Sequence, residues 1–190
     1  MQTTVVTSAT GEPISLREVK EHLRLEVGET AEDDVLNGLI SAARDRVESI
    51  TNRKLMPQTW DYRLDDWPDE DYVEMPYTPL RTIGSTAVTY KNSTAATTKL
   101  SSTAWEVDAI SEPGRLCLRY NEDWPTATLW NVNPISIRFG CGYSTATAVP
   151  ETFKLAIKLL VDEWYNNRGA MEETPTAVNA LLRPYRVWKF

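Results

Sequence analysis

The 190-residue sequence predicts an α+β fold, in which a small helical bundle carries an inserted antiparallel β module and a C-terminal tail. Three observations support this prediction. Two amphipathic helical segments come first, a stretch of alternating apolar and polar residues follows, and one long amphipathic helix comes near the end. Helices separated in the sequence by a β module must pack on each other to bury their apolar stripes. We therefore divide the chain into segments 1–54, 55–145, 146–170 and 171–190.

The N-terminal segment is predicted to be an extended arm followed by a helix pair. Thr and Val dominate the arm over residues 1–13. Ser15 followed by Glu18 forms a capping box, which indicates the start of the first helix. Thr30 is a candidate cap for a second helix, in which apolar residues recur at helical spacing to about Thr51.

Segment 55–145 is predicted to form an antiparallel β module of about six short strands. Trp60, Tyr62 and Leu64 alternate with polar residues, a pattern typical of a half-buried strand. Turns rich in Gly, Pro and Asp separate the later β-branched runs, and the last clear strand covers residues 135–139.

Residues 149–169 are predicted to form the long helix that completes the bundle. Pro150 suits the first helical position, and Glu151 complements the positive end of the helix dipole. Five large apolar residues recur at spacings of three and four and therefore share one face: Phe153, Ile157, Leu160, Val161 and Trp164. After a linker, residues 176–182 are predicted to form a short helix before the tail ends.

The charge balance argues against a protein that binds nucleic acid through its phosphate groups. The chain has 27 acidic and 20 basic side chains and a formal net charge of −7, whereas phosphate binding usually needs a basic surface. No segment approaches the length of a membrane span, and the N-terminus lacks the features of a secretory signal, so we expect neither. Cys117 and Cys141 belong to no CxxC motif, so free thiols are expected, with a single disulfide as the alternative.

Motifs for catalysis are absent from the sequence. The only histidine, His22, lies in the first predicted helix, and no serine occupies a G-x-S-x-G elbow. The sequence contains neither G-x-x-x-x-G-K-[ST] nor G-x-G-x-x-G, so it offers no phosphate cradle. We therefore expect no enzymatic activity and no cofactor.

An acidic cluster lies between residues 65 and 71 and admits three interpretations. Carboxylates can bind a divalent cation, but Pro68 interrupts this cluster and its spacing is not that of an EF-hand loop. A solvated loop is therefore favoured, and no metal is expected. A metal-dependent hydrolase would need the first interpretation, in which the cluster binds a cation. The third interpretation is an acidic lining that repels DNA. The five residues are Asp65, Asp66, Asp69, Glu70 and Asp71.

The chain has seven tryptophans, most of them in the β module. A carbohydrate- or receptor-binding module would present several of them in an exposed row, and this is our alternative functional hypothesis. Core or turn anchors are the simpler interpretation, because aromatic side chains suit pleated surfaces. Base stacking is disfavoured, since the charges interleaved over residues 60–72 are mainly acidic.

The C-terminal tail places aromatic side chains beside Arg and Lys over residues 183–190. Aromatic residues and Arg dominate interface hot spots, and chain ends fray unless they dock. Two interpretations follow: the tail folds back on its own domain, or it docks on a neighbouring subunit or partner.

Several stretches resemble the head–tail connector (adaptor) family of tailed bacteriophages, in its longer type with a β insertion. They are ISLREVKEHLRLE, the acidic stretch after it, VLNGLISAARDRVESITNRKL, VPETFKLAIKLLVDEWYNNR and the ending VNALLRPYR. The resemblance runs in order from about residue 14 to 186, and the helical parts carry it. The β module matches in placement and, less specifically, in YTPLRTIGS and ISIRFGCGY.

The resemblance implies a non-enzymatic virion protein of the head–tail interface, assembled in the host cytoplasm. Family members form a ring, commonly of twelve subunits, beneath the portal. The ring extends the channel through which double-stranded DNA passes, and it offers a platform to the next neck or tail-completion protein. The implied partners are therefore further copies of the chain, the portal protein and that next component, with no membrane involved.

The resemblance also suggests where partners bind. The tail would dock on the portal protein through six residues: Leu181, Leu182, Tyr185, Arg186, Trp188 and Phe190. The acidic residues Asp65, Asp66, Asp69, Glu70 and Asp71 are candidates for the channel lining, and the start of the second helix is another.

Overall fold

The structure, a computed structural model, describes residues 2–167 and 174–187. Within these residues it contains four α-helices, two 3-10 helices and eight strands, so the predicted α+β fold is confirmed. The chain divides into two compact units. The helical unit comprises residues 9–56, 143–167 and 174–187, and the sheet unit comprises residues 2–8 and 57–142.

Helix α1 (Leu16–Leu23) begins at the predicted capping box. The Glu18 backbone N–H donates to the Ser15 hydroxyl over 3.2 Å, and the Ser15 backbone N–H donates to the Glu18 carboxylate over 2.7 Å. The helix ends at Arg24, whose φ of 58° lies in the left-handed region.

Helix α2 (Asp33–Thr51) ends as predicted but begins differently. Its N-cap is Glu32, which makes no side-chain cap hydrogen bond. Thr30 contributes only its carbonyl, which accepts from the Asp33 N–H over 3.2 Å, so the prediction that Thr30 is the cap was wrong.

The start of α2 is held by a buried lysine, which takes the place of a side-chain cap. Lys20 on α1 is 4% exposed, and its ammonium group pairs with the Asp33 carboxylate over 2.5 Å. The same group donates to the carbonyls of Val27 and Glu29. Because a buried charge is costly unless it is paired and hydrogen-bonded, these contacts define the loop between the helices.

Helix α3 (Glu151–Asn166) completes the bundle, with Pro150 at the N-cap rather than at the first helical position. All five of its predicted stripe residues are buried. They pack with Leu36, Ile40 and Val47 of α2 in one core. Helix α4 (Thr176–Leu182) adds Val178 and Leu182 to that core.

Eight strands build the sheet unit: β1 (Gln2–Thr7), β2 (Gln58–Leu64), β3 (Tyr72–Glu74), β4 (Leu80–Lys91), β5 (Thr97–Lys99), β6 (Trp105–Asp108), β7 (Arg115–Leu118) and β8 (Ile135–Cys141). One sheet has the order β1-β2-β8-β4-β5, and the other has the order β3-β7-β6. All pairs are antiparallel. The inserted module contributes seven strands, against the six or so predicted.

The eighth strand is the N-terminal arm, which the sequence grouped with the helix pair. Strand β1 instead pairs with β2, with Gln2 opposite Arg63 and Thr7 opposite Thr59. An extended run of Thr and Val has no helical stripe to bury, and its β-branched residues suit a sheet edge. The arm therefore belongs to the sheet unit.

The core of the sheet unit centres on Ile135, Ile137 and Phe139 of β8, each at most 1% exposed. Asp61 of β2 is also buried, and it pairs with its cross-strand neighbour Arg138 through two hydrogen bonds of 2.7 and 3.0 Å. Cys117 and Cys141 do not form a disulfide. Among the helices described, none has the length and apolar character needed to cross a bilayer.

Candidate docking surfaces

Residues 183–187, which we term the C-terminal segment, lie against the C-terminal end of α2. The last carbonyls of a helix have no partner inside the helix. Here the Val187 N–H donates to the Thr51 carbonyl over 3.0 Å, and the Arg186 Nε donates to the Ile50 carbonyl over 3.0 Å. The segment therefore supplies donors that this helix end requires.

Side chains just beyond α2 hold the C-terminal segment from the other side. The Asn52 amide donates to the Val187 carbonyl over 2.9 Å, and the Arg53 Nε donates to the Tyr185 carbonyl over 2.8 Å. The guanidinium groups of Arg53 and Arg186 also lie at the negative end of the α2 dipole, which favours cations. Three hydrogen bonds thus fix the backbone of this segment, and the Arg186 side chain makes a fourth.

The tail also packs through its side chains. The Tyr185 ring lies 4.8 Å from the Phe153 ring, with an interplanar angle of 59°. Leu182 is 0% exposed and belongs to the core of the helical unit. Up to Val187, the tail is therefore folded back on its own unit, as one of the two interpretations of the sequence predicts.

The predicted portal-docking residues differ in accessibility. Leu182 presents no side-chain surface to solvent, because α4 buries it together with Val178. Leu181 and Tyr185 are partly buried, and Arg186 is exposed. Trp188 and Phe190 lie outside the described residues.

All five predicted channel-lining carboxylates, Asp65, Asp66, Asp69, Glu70 and Asp71, are exposed. The loop that carries them is bound to a second loop, residues 124–133. Asp65 accepts from the Asn133 N–H over 3.0 Å, and the Trp124 indole N–H donates to the Glu70 carbonyl over 2.8 Å. The Trp67 and Trp124 rings stack 4.7 Å apart at an angle of 8°.

The two loops enclose a shallow groove of about 460 Å³, which we term the acidic groove. Asp65, Asp66 and Trp67 line one side, and residues 125–130 line the other. Sequence reasoning missed this groove, because residues 124–133 gave no periodic pattern. The available signal was a Trp-Pro pair in each loop, at Trp67 and Trp124.

The tryptophans do not form an exposed row in the residues that the structure describes. Trp105 is 5% exposed and Trp164 is 7% exposed. Trp60 packs on the Tyr77 ring at 4.7 Å, and only Trp130, at 42%, is among the exposed large apolar side chains. The arrangement gives little support to a carbohydrate-binding face.

Reactive groups are equally sparse in the described part of the chain. No group of three or more His, Cys, Asp or Glu residues is arranged there to hold a metal ion. Burial is the main cause that raises the pKa of the Cys117 thiol, with the Asp108 carboxylate adding to it. A raised pKa keeps the thiol protonated and therefore poorly nucleophilic.

Residues 13–108 match the model of the phage gp6-like head-tail connector protein family. Because the match spans half of the chain, the chain belongs to this family. It is therefore a head-tail connector protein, which confirms the resemblance noted from the sequence. Among curated proteins, none matches the sequence.

Solved structures with a similar fold come from gene transfer agent (GTA) particles. The chain is similar to one in "Neck of empty GTA particle computed with C6 symmetry", at 24% identity and a TM-score of 0.80. A chain in "Virion of native gene transfer agent (GTA) particle" has 22% sequence identity and a TM-score of 0.81. A chain in "Neck of native GTA particle computed with C12 symmetry" has 21% sequence identity and a TM-score of 0.76. Each match covers 100% of this chain and 97% of the other. At these identities, the likeness concerns the fold.

Proposed function

We propose that the chain is a non-enzymatic component of a virion neck, where it forms a closed ring of identical subunits between portal and tail. The family match over residues 13–108 carries the proposal. The fold likeness extends over the whole chain to structures of GTA particle necks computed with C6 and C12 symmetry. A ring of twelve subunits would extend the DNA channel and present a platform to the next neck or tail-completion protein.

A closed ring needs two different complementary faces on each subunit, because contacts in a ring of more than two copies are heterologous. The helical unit exposes three large apolar side chains suited to such contacts: Val27 at 45%, Val35 at 52% and Leu155 at 44%. Val35 lies on α2 and Leu155 on α3. We assign ring contacts to these helices.

We assign portal docking to the C-terminal segment and the residues around it. Leu181, Tyr185 and Arg186 keep accessible surface while the backbone is fixed on α2, and Trp188 and Phe190 follow directly. A docking element that is already ordered loses less conformational entropy on binding. Leu182 has a different role, since its burial stabilises the helical unit itself.

We assign the channel lining to the exposed carboxylates of the acidic loop, chiefly Asp69, Glu70 and Asp71. The start of α2, with Asp33 and Asp34, is the second candidate. Carboxylates do not bind phosphate, so a lining of this kind lets DNA slide without adhering. This assignment supports passage of the genome rather than its recognition.

The test is the mass of the purified chain in solution, alone and mixed with the portal protein of the same particle. We expect a ring-sized complex on the portal, and we expect deletion of residues 188–190 to weaken it.

Leu155→Asp should prevent ring closure, whereas Ile110→Asp, at a 95% exposed position of the sheet unit, serves as the matched control. Circular dichroism checks that each variant is folded. A monomer that fails to join a packaged, portal-containing head would contradict the proposal.

A further inference from the structure

We propose that the acidic groove of the sheet unit binds an extended, basic peptide segment of the next neck or tail component. This inference rests on the proposed function, because it specifies which surface of the ring serves as the platform. Three properties of the groove carry it: a fixed shape, exposed apolar side chains and uniform negative charge.

The loop on one side of the groove is held by backbone hydrogen bonds. The Ser93 N–H donates to the Thr128 carbonyl over 2.9 Å, and the Trp130 N–H donates to the Lys91 carbonyl over 3.0 Å. On the opposite side, the stack of Trp67 on Trp124 fixes the wall of the groove. The groove is therefore formed before any partner arrives, which lowers the entropic cost of binding.

This anchored loop exposes two large apolar side chains, Trp130 at 42% and Val132 at 65%. Neighbouring exposed apolar groups with a polar rim mark interaction sites. Tryptophan is also among the residues that most often dominate binding energy at interfaces. Because the backbone around Trp130 is fixed, its ring is presented to a partner in a defined position.

The charge of the groove selects the partner. The two loops of the groove, residues 65–71 and 124–133, carry five carboxylates and no Lys or Arg. Of these carboxylates, Asp65 and Asp66 line the groove. Such a surface repels phosphate groups and acidic peptides, and it attracts cations. A volume of about 460 Å³ accommodates a short stretch of chain rather than a folded domain.

An Arg or Lys side chain satisfies both features of the site. Its cationic group gains from the face of an exposed Trp130 ring, within about 6 Å of the ring centroid. The same group can pair with the Asp66 carboxylate, one oxygen of which accepts from the Trp67 N–H over 2.9 Å. Arg fits best, because its planar guanidinium stacks on aromatic rings and binds carboxylates through two hydrogen bonds.

The experiment places a photo-crosslinker at the groove in assembled particles. The variant Ala127→p-benzoyl-L-phenylalanine, at an exposed position that lines the groove and leaves Trp130 in place, is incorporated. The purified particles are irradiated, and the cross-linked peptides are identified by mass spectrometry. We expect cross-links to a segment rich in Arg or Lys on another neck or tail protein. Ile110→p-benzoyl-L-phenylalanine, at a 95% exposed position outside the groove, should not give them.

A second variant tests the charge. Adding Asp66→Arg to the crosslinker variant should lower the yield about tenfold, because one charge-assisted pair is lost and a repulsion is added. Cross-links to a second copy of the chain, to DNA or to a segment without basic residues would overturn the inference, as would no cross-link at all. Incorporation of the chain is measured in the same particles. Its absence from the neck would count against the proposed function, whereas its presence without these cross-links counts only against the groove.

Discussion

The helical unit and the sheet unit use charged residues differently. In the helical unit, Lys20, Glu48, Arg53 and Lys154 are all buried, and each has a polar partner. In the described part of the sheet unit, Asp61 is the one buried charged residue. The helices thus rely on internal charges to fix their loops and the C-terminal segment, whereas the sheets rely mainly on apolar packing.

The exposed apolar side chains show the opposite distribution. The described part of the sheet unit exposes six large ones, against three in the helical unit, and four of the six lie in its loops: Ile110, Tyr120, Trp130 and Val132. Binding groups are commonly carried on loops that a rigid scaffold positions. The comparison teaches that the helical unit fixes its own loops with buried charges, while the sheet unit leaves more large apolar side chains exposed.

The largest expected effect comes from removing the centre of the helical core. Phe153 is 0% exposed, so Phe153→Ala should lower the free energy of unfolding by about 3–5 kcal/mol. Leu155→Ala, two positions away but 44% exposed, is the matched control and should stay within about 0.5 kcal/mol. Urea unfolding gives the free energies, and hydrogen exchange shows which unit opens. Equal acceleration of exchange in both units would contradict their separation.

An intermediate effect should distinguish the buried charges of the two units. Glu48 accepts from the Leu55 N–H and the Lys54 ammonium, each over 2.8 Å, and its side chain is 3% exposed. Glu48→Gln should therefore cost about 2 kcal/mol. Asp61→Asn should cost at most about 1 kcal/mol, because its partner Arg138 has a side chain that is 56% exposed. Urea unfolding of both variants measures the difference, and equal losses would remove this contrast between the units.

Local patterns predicted the helical unit well. Helical spacing identified the buried face of α3, and the capping box located the start of α1. Each of these signals is local, because it depends on residues three or four positions apart. The start of α2 was mispredicted, since Lys20 reaches it from another helix. A sequence pattern cannot show that a tertiary ion pair replaces a cap.

The sheet unit was predicted less completely, because its organisation depends on contacts between distant residues. Strand β1 lies more than fifty residues from its partner β2 in the sequence. The acidic groove needs residues 65–71 and 124–133 together, and neither loop shows a periodic pattern. The acidic cluster and both tryptophans could be seen in the sequence, whereas the stacking of Trp67 on Trp124 that brings the loops together could not.

The smallest expected effect concerns the charge of Glu18 in the capping box of the helical unit. The backbone N–H of Ser15 is the main cause that holds the pKa of the Glu18 carboxyl below its usual value, and the Ser15 hydroxyl adds to it. A lowered pKa in the folded state stabilises the fold above the usual carboxyl pKa, and this gain is lost as the pH falls through the lowered value. Glu18→Gln should therefore cost about 0.5 kcal/mol at neutral pH and almost nothing near pH 3, because the site is partly exposed.

Urea unfolding across this pH range measures the difference between the parent chain and Glu18→Gln. Glu26→Gln, at an exposed position just beyond α1, controls for the loss of one negative charge. A pH-independent difference would show that the Glu18 charge does not contribute, and that the neutral hydrogen bonds of the capping box are sufficient. A difference that closes at low pH would show that the helical unit draws on charged groups at its surface as well as in its interior.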